Sequence, residues 1–97
     1  MRVLVAGRLP KANLEEIQSL GVELSYQPIL LPRELPAALD QVNVLVVRGL
    51  TVDASAIAAC DTLNLIIRAG SGTGKIDVAA ASARGIYVAN TPGRNAS

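Results

Sequence analysis

One stretch holds the residue types that could seat a ligand: Asn64-Leu-Ile-Ile-Arg68-Ala-Gly70-Ser-Gly72-Thr-Gly74-Lys75-Ile-Asp77. An apolar run ends in Arg68, and glycine then recurs at every second position before Lys75. A strand, a glycine-rich turn and a helix start together form a frequent anion-binding arrangement. Glycine lets successive N–H groups point inward, and a helix N-terminus adds partial positive charge. Other cations stand in similar places: Arg8, Arg48 and Arg94 also follow short apolar runs. Arginine offers a fork of donors that matches carboxylate or phosphate. For any one of these side chains, simple solvation is the competing reading.

The glycine stretch admits four readings. A relaxed phosphate-loop pattern fits as far as Gly74-Lys75, but position 76 is Ile where Ser or Thr would hold magnesium. A dinucleotide fingerprint fits Gly70 and Gly72 and fails at Lys75, where the third glycine belongs. A cradle of backbone N–H groups for a carboxylate requires no further side chain. A tight turn in which glycine only relieves crowding is the structural alternative. Elsewhere the chemistry is sparse. There is no His, which removes the commonest general acid–base group and any ordinary zinc set. The single cysteine, Cys60, sits among alanines and reads as a buried, inert thiol. Asp77 reads as a helix cap, and Tyr26 and Tyr87 as packing residues. No catalytic residue and no metal ligand is assigned.

The elements that must position these residues follow from the pattern. Residues 1–6 form an apolar run closed by Gly7, which predicts a buried strand. A helix follows over 11–20, with Leu14, Ile17 and Leu20 on one face, capping-box spacing at Asn13 and Glu16, and a stop at Gly21. Strand, short helix and strand follow over 22–26, 35–39 and 42–47, with Pro36 limiting the helix. Thr51 or Asp53 caps a helix running through Cys60. A fourth strand over 63–67 leads into the glycine stretch, a helix over 78–84 stops at Gly85, and a last strand covers 86–89. Asn90-Thr91-Pro92-Gly93 then turns the chain out.

Strands that are apolar throughout belong to parallel sheets covered on both faces, and short crossovers are right-handed. The expected fold is α/β: a flavodoxin-like, doubly wound parallel five-stranded sheet in the order 2-1-3-4-5, forming a single domain over 1–97. Such a sheet takes a fifth helix beside the first, and the sequence stops at Ser97 before one. The fold is therefore expected to lack that helix and leave apolar sheet to be covered by a second copy, a swapped element or a further segment.

The totals set limits on function. At 97 residues, 51% hydrophobic and 2% aromatic, the core must come from Val, Leu, Ile and Ala. A net charge of +1 gives no bulk attraction to nucleic acid or membrane. No run approaches the roughly 20 apolar residues that span a bilayer, and residues 3–6 are too short for a signal peptide, so a cytoplasmic protein is expected.

Taken in series, the motifs resemble a known family. Val47-Arg48-Gly49-Leu50-Thr51-Val52, Ile67-Arg68-Ala69-Gly70-Ser71-Gly72, Ile76-Asp77, Arg84-Gly85-Ile86 and Asn90-Thr91-Pro92-Gly93-Arg94-Asn95 follow one another as in the D-isomer 2-hydroxyacid dehydrogenases. The match is strong in the second half and rests on pattern in the first. The resemblance implies the N-terminal part of a substrate-binding domain. In it, the backbone of Ala69, Gly70, Ser71 and Gly72 holds the substrate carboxylate, Arg48 contacts substrate, and 90–92 lies near the hinge to an NAD domain. It also implies that the covering helix comes from the far C-terminus. Gly49 and Gly74-Lys75 depart from the family's usual Ser and Asp-Asn. The NAD domain and the catalytic arginine, glutamate and histidine lie downstream in that family. The resemblance thus implies NAD for the parent reaction, no cofactor bound by these residues alone, and weak or lost affinity for a small anionic substrate. Two other readings stay open. One is an interaction module that dimerises through a bare sheet face, and the other a phosphate- or nucleotide-binding protein using the glycine stretch.

Overall fold

Five short runs rich in Val, Leu and Ile alternate with helices and assemble into one sheet. A computed structural model describes residues 1–69 and 76–91. The elements in order are β1 (Arg2–Ala6), α1 (Lys11–Gln18), β2 (Glu23–Gln27), a 3-10 turn (Pro32–Glu34) running into α2 (Leu35–Ala38), β3 (Val44–Val47), α3 (Ala54–Ala58), β4 (Leu65–Ala69), α4 (Val78–Ala83) and β5 (Tyr87–Thr91). The sheet order is β2-β1-β3-β4-β5, with every pairing parallel. The 2-1-3-4-5 topology expected from the alternation is therefore the one adopted.

Parallel strands buried on both faces carry apolar side chains at every position. In β1, Leu4 and Ala6 enter one cluster while Val3 and Val5 enter the other. The first cluster lies under α2, α3 and α4. It joins Leu35, Leu39, Leu45, Ile57, Ile66 and Ile86 among others, nearly all inaccessible to water. The second lies under α1, and its buried members are Val3, Val5 and Val46. Leu14, Ile17, Val44, Ile67 and Ala69 pack against it only half buried. The imbalance has a direct cause: among the described residues, three helices cover the first face and one covers the second. Tyr87, on the outer strand, is 73% exposed and alternates with Val88 of the first cluster, which puts it on the thinly covered face.

Several local expectations shift. Helix α1 starts at Lys11, with Pro10 at the N-cap and no side-chain cap. The Asn13–Glu16 capping box therefore does not form. Pro10, at φ −59°, is preset for a helix start, and its carbonyl accepts from the N–H groups of Asn13 and Leu14 at 3.0 and 3.2 Å. Pro36 falls in the first turn of α2, where a missing N–H is harmless. Asp53, not Thr51, caps α3, accepting from Ala56 N–H at 3.0 Å. Strand β4 does not end at Ile67 but carries Arg68 and Ala69 within it. Strand β5 likewise runs through Asn90 and Thr91, where a turn is expected. In both, ladder hydrogen bonds from the neighbouring strand outweigh local preference. The two tyrosines are not core residues either. Besides the exposed Tyr87, Tyr26 is 38% exposed, and its hydroxyl oxygen accepts from the Leu9 N–H at 3.3 Å. Cys60 is buried as expected, with Sγ donating to the Leu39 carbonyl at 3.0 Å.

Candidate anion-binding site

Parallel register decides which strand exits meet. Ala6 pairs with Val47, Val47 with Arg68, and Arg68 with Asn90. Arg48 follows Val47 directly as the chain leaves β3, and Ala69 follows Arg68 at the end of β4, so the two lie past the last β3–β4 pair at the same edge. Arg8 leaves β1 two residues beyond Ala6 at the same edge. Arg8, Arg48 and Arg68 thus share the carboxyl edge of the sheet, where open α/β sheets hold ligands. Lys75 and Arg94 lie outside the described residues.

The opposite edge is different. There Arg2 faces Glu23 at 3.8 Å, and Arg84 donates to Asp61 at 3.0 Å. The cations at the amino edge are matched by carboxylates. At the carboxyl edge, Arg48 is exposed, and its Nη1 donates to the neutral carbonyl of Arg8 at 3.1 Å. The carboxylate that follows β3, Asp53, is occupied by α3: the Ala56 N–H and then the Ser55 hydroxyl hold its pKa below the ordinary 3.8. Among the described residues, no carboxylate takes up the Arg48 charge, which faces solvent.

Of the residues expected to cradle a carboxylate, Ala69 is described, while Gly70, Ser71 and Gly72 fall outside the described residues. Both ends of the 70–75 connection are fixed. At its start Ala69 pairs with Thr91. At its end Ile76 forms a parallel bridge with Val52, and the Asp77 N–H donates to the Val52 carbonyl at 2.9 Å. Val52 lies four residues past Arg48. The connection therefore leaves from β4 and returns against the chain that carries Arg48. Asp77 caps α4 through the Ala80 N–H at 3.0 Å, the role its position predicts.

A groove of about 300 Å³ opens below this edge on the thinly covered face, lined by Leu9, Asn13, Glu16, Ile17, Val46, Ile67 and Ala69. Its walls are mostly apolar and its charged member, Glu16, is an acid. It suits a packed side chain better than an anion. One contributor to the edge escapes a reading of the sequence. Gly7 approaches the Arg48 backbone so closely that an added Cβ would lie 2.6 Å from its carbonyl oxygen. The Gly after an apolar run signals a strand end, but not which strand it will meet.

The fold, the register and the motif series define a class. Residues 3–97 match the family described as D-isomer specific 2-hydroxyacid dehydrogenase, catalytic domain, and the chain belongs to that family. Within it the motifs look most like D-3-phosphoglycerate dehydrogenase, and curated relatives of that name agree. The chain is 38% identical to the Archaeoglobus fulgidus protein over 96 residues and 35% identical to the human protein over 95. These alignments take in 98% and 97% of this chain but 18% of either relative. Among solved structures, a Thermus thermophilus protein superposes with a TM-score of 0.79 at 30% identity, over 91% of this chain and 29% of that one. The NAD+-bound 3-phosphoglycerate dehydrogenase of Entamoeba histolytica gives 0.85 at 24% identity, over 98% of this chain and 34% of that one, which supports the fold.

Proposed function

We propose that residues 1–97 form one substrate-binding-domain segment of an NAD-dependent oxidoreductase acting on 3-phosphoglycerate or a close 2-hydroxy acid, as in serine biosynthesis. The observation that carries this reading is the register that pairs Val47 with Arg68, so that Arg48 leaves β3 beside the end of β4, where the glycine connection begins. In this reading Arg48 binds an anionic group of the substrate, and backbone N–H groups of Ala69, Gly70, Ser71 and Gly72 bind its carboxylate. Oxidation then depends on residues outside this stretch, since there is no His to move the proton. NAD belongs to that other part of the protein, and the reading carries a cytoplasmic location with it. Calorimetry with 3-phosphoglycerate tests it. The expected result is weak binding that falls about tenfold in Arg48→Ala, the loss of one charged fork contact. Magnesium-dependent ATP binding, or 3-phosphoglycerate affinity indifferent to Arg48, would overturn it.

A second reading rests on the thinly covered face. Val44, Ile67, Ala69 and Tyr87 leave apolar surface beside α1, and surfaces of this kind become interfaces. We propose that a further segment of a longer polypeptide, or failing that a second copy, covers it. No helix among the described residues is long and apolar enough to cross a membrane.

A further inference from the structure

We infer that Gly7 is a positioning residue for Arg48: by admitting the Arg48 backbone at less than side-chain distance, it lets the exit of β1 set the direction of the Arg48 guanidinium. This deepens the functional reading above and rests on Arg48 meeting the substrate.

Three consecutive residues of β1's exit grip Arg48. The Arg48 N–H donates to the Ala6 carbonyl at 3.1 Å. Arg48 Nη1 donates to the Arg8 carbonyl, also at 3.1 Å. Gly7, between them, donates its N–H to the Gln27 carbonyl of β2 at 3.1 Å, and so cannot back away from β3. A Cβ on Gly7 would lie 2.6 Å from Arg48 O, 3.1 Å from Arg48 N and 3.2 Å from Arg48 Cβ. These are backbone atoms or close to it, and no side-chain rotation relieves them. The φ of +125° at Gly7 is a second reason that only glycine serves. Any larger residue must part β1 from β3 at the level of Arg48, and the Arg8 carbonyl moves with it.

The consequence is stereochemical. Nη1 lies on the Cδ side of the guanidinium and is taken by the Arg8 carbonyl. Among the described residues, Nε and Nη2 have no partner. They form the side-on edge, whose two parallel donors fit the two oxygens of a carboxylate or phosphate. A guanidinium already held at one nitrogen loses less rotamer freedom when it meets its ligand.

A double-mutant cycle on this chain decides the matter. Affinity for 3-phosphoglycerate is measured in the parent, Gly7→Ala, Arg48→Ala and the double variant. Gly7→Ala is expected to weaken binding about as much as Arg48→Ala, about tenfold, and to add nothing once Arg48 is gone. Gly21→Ala is the control for backbone strain, since Gly21 has φ +81° with nothing within 4 Å of an added Cβ; it should leave the affinity unchanged. Losses from Gly7→Ala and Arg48→Ala that simply add overturn the inference. If Arg48→Ala has no effect, the functional reading fails, and the positioning is judged by NMR. The ¹⁵N relaxation of Arg48 Nε in the unliganded parent should show a rigid group beside the exposed Arg33, and Gly7→Ala should erase that contrast. Arg48 as mobile as Arg33 overturns the inference, even if Gly7→Ala does not fold.

Discussion

At the scale of single residues, type and neighbourhood carry different information. Asp53 and Asp77 are legible as caps because a short carboxylate before a helix has few other uses, and each accepts from an N–H three residues on. Arg48 is legible as a cation at a strand exit. Gly7 is legible only as a strand end, because its partner, Arg48, is distant in sequence and nothing local names it. The Asp53 cap yields a prediction with a definite sign. Its folded pKa is lowered, so its stabilising effect is complete above the ordinary value of 3.8 and is lost as pH falls through the lower folded value. Asp53→Ala should melt below the parent at pH 7 and converge with it in strong acid. Thermal unfolding followed by circular dichroism across that range checks it, and an equal gap in neutral buffer and in strong acid would count against the cap.

At the scale of elements, the apolar runs specify the strands and their order, but not their ends. Arg68 looks like a terminator by composition. Its backbone instead lies between Val47 and Asn90 in a parallel ladder, and the ladder extends β4 past it. The cap of α1 differs from expectation for a related reason: Asn13 and Glu16 have the right spacing, but Pro10 has already set the helix going. The two faces of the sheet should also differ in energy. Ile57 of α3 is fully buried, whereas Ile17 of α1 is half buried. Ile57→Ala should cost about 3 kcal/mol, within the range for isoleucine truncation in a closed core. Ile17→Ala should cost clearly less, since less area is removed from water. Urea unfolding of both variants tests the order; equal costs would mean that α1 is as tightly covered as α3.

At the scale of the whole molecule, counting helices against strands anticipates a face short of cover, and among the described residues the second cluster, with its half-buried rim under α1 alone, is the thinly covered one. What covers it is not legible, because an apolar surface does not name its partner. Self-association through this face should be concentration-dependent, and Tyr87→Glu, at a 73% exposed position on it, should weaken the association without unfolding the chain. Sedimentation velocity reads both, and a dimer indifferent to Tyr87→Glu would move the interface elsewhere. The bond from Asp77 N–H to the Val52 carbonyl, with the Ile76 bridge beside it, bears on recognition as well as on folding. Together with the Ala69–Thr91 pairing, it fixes where a six-residue connection begins and where it returns. The entropy of bringing those two ends together is met when the sheet assembles.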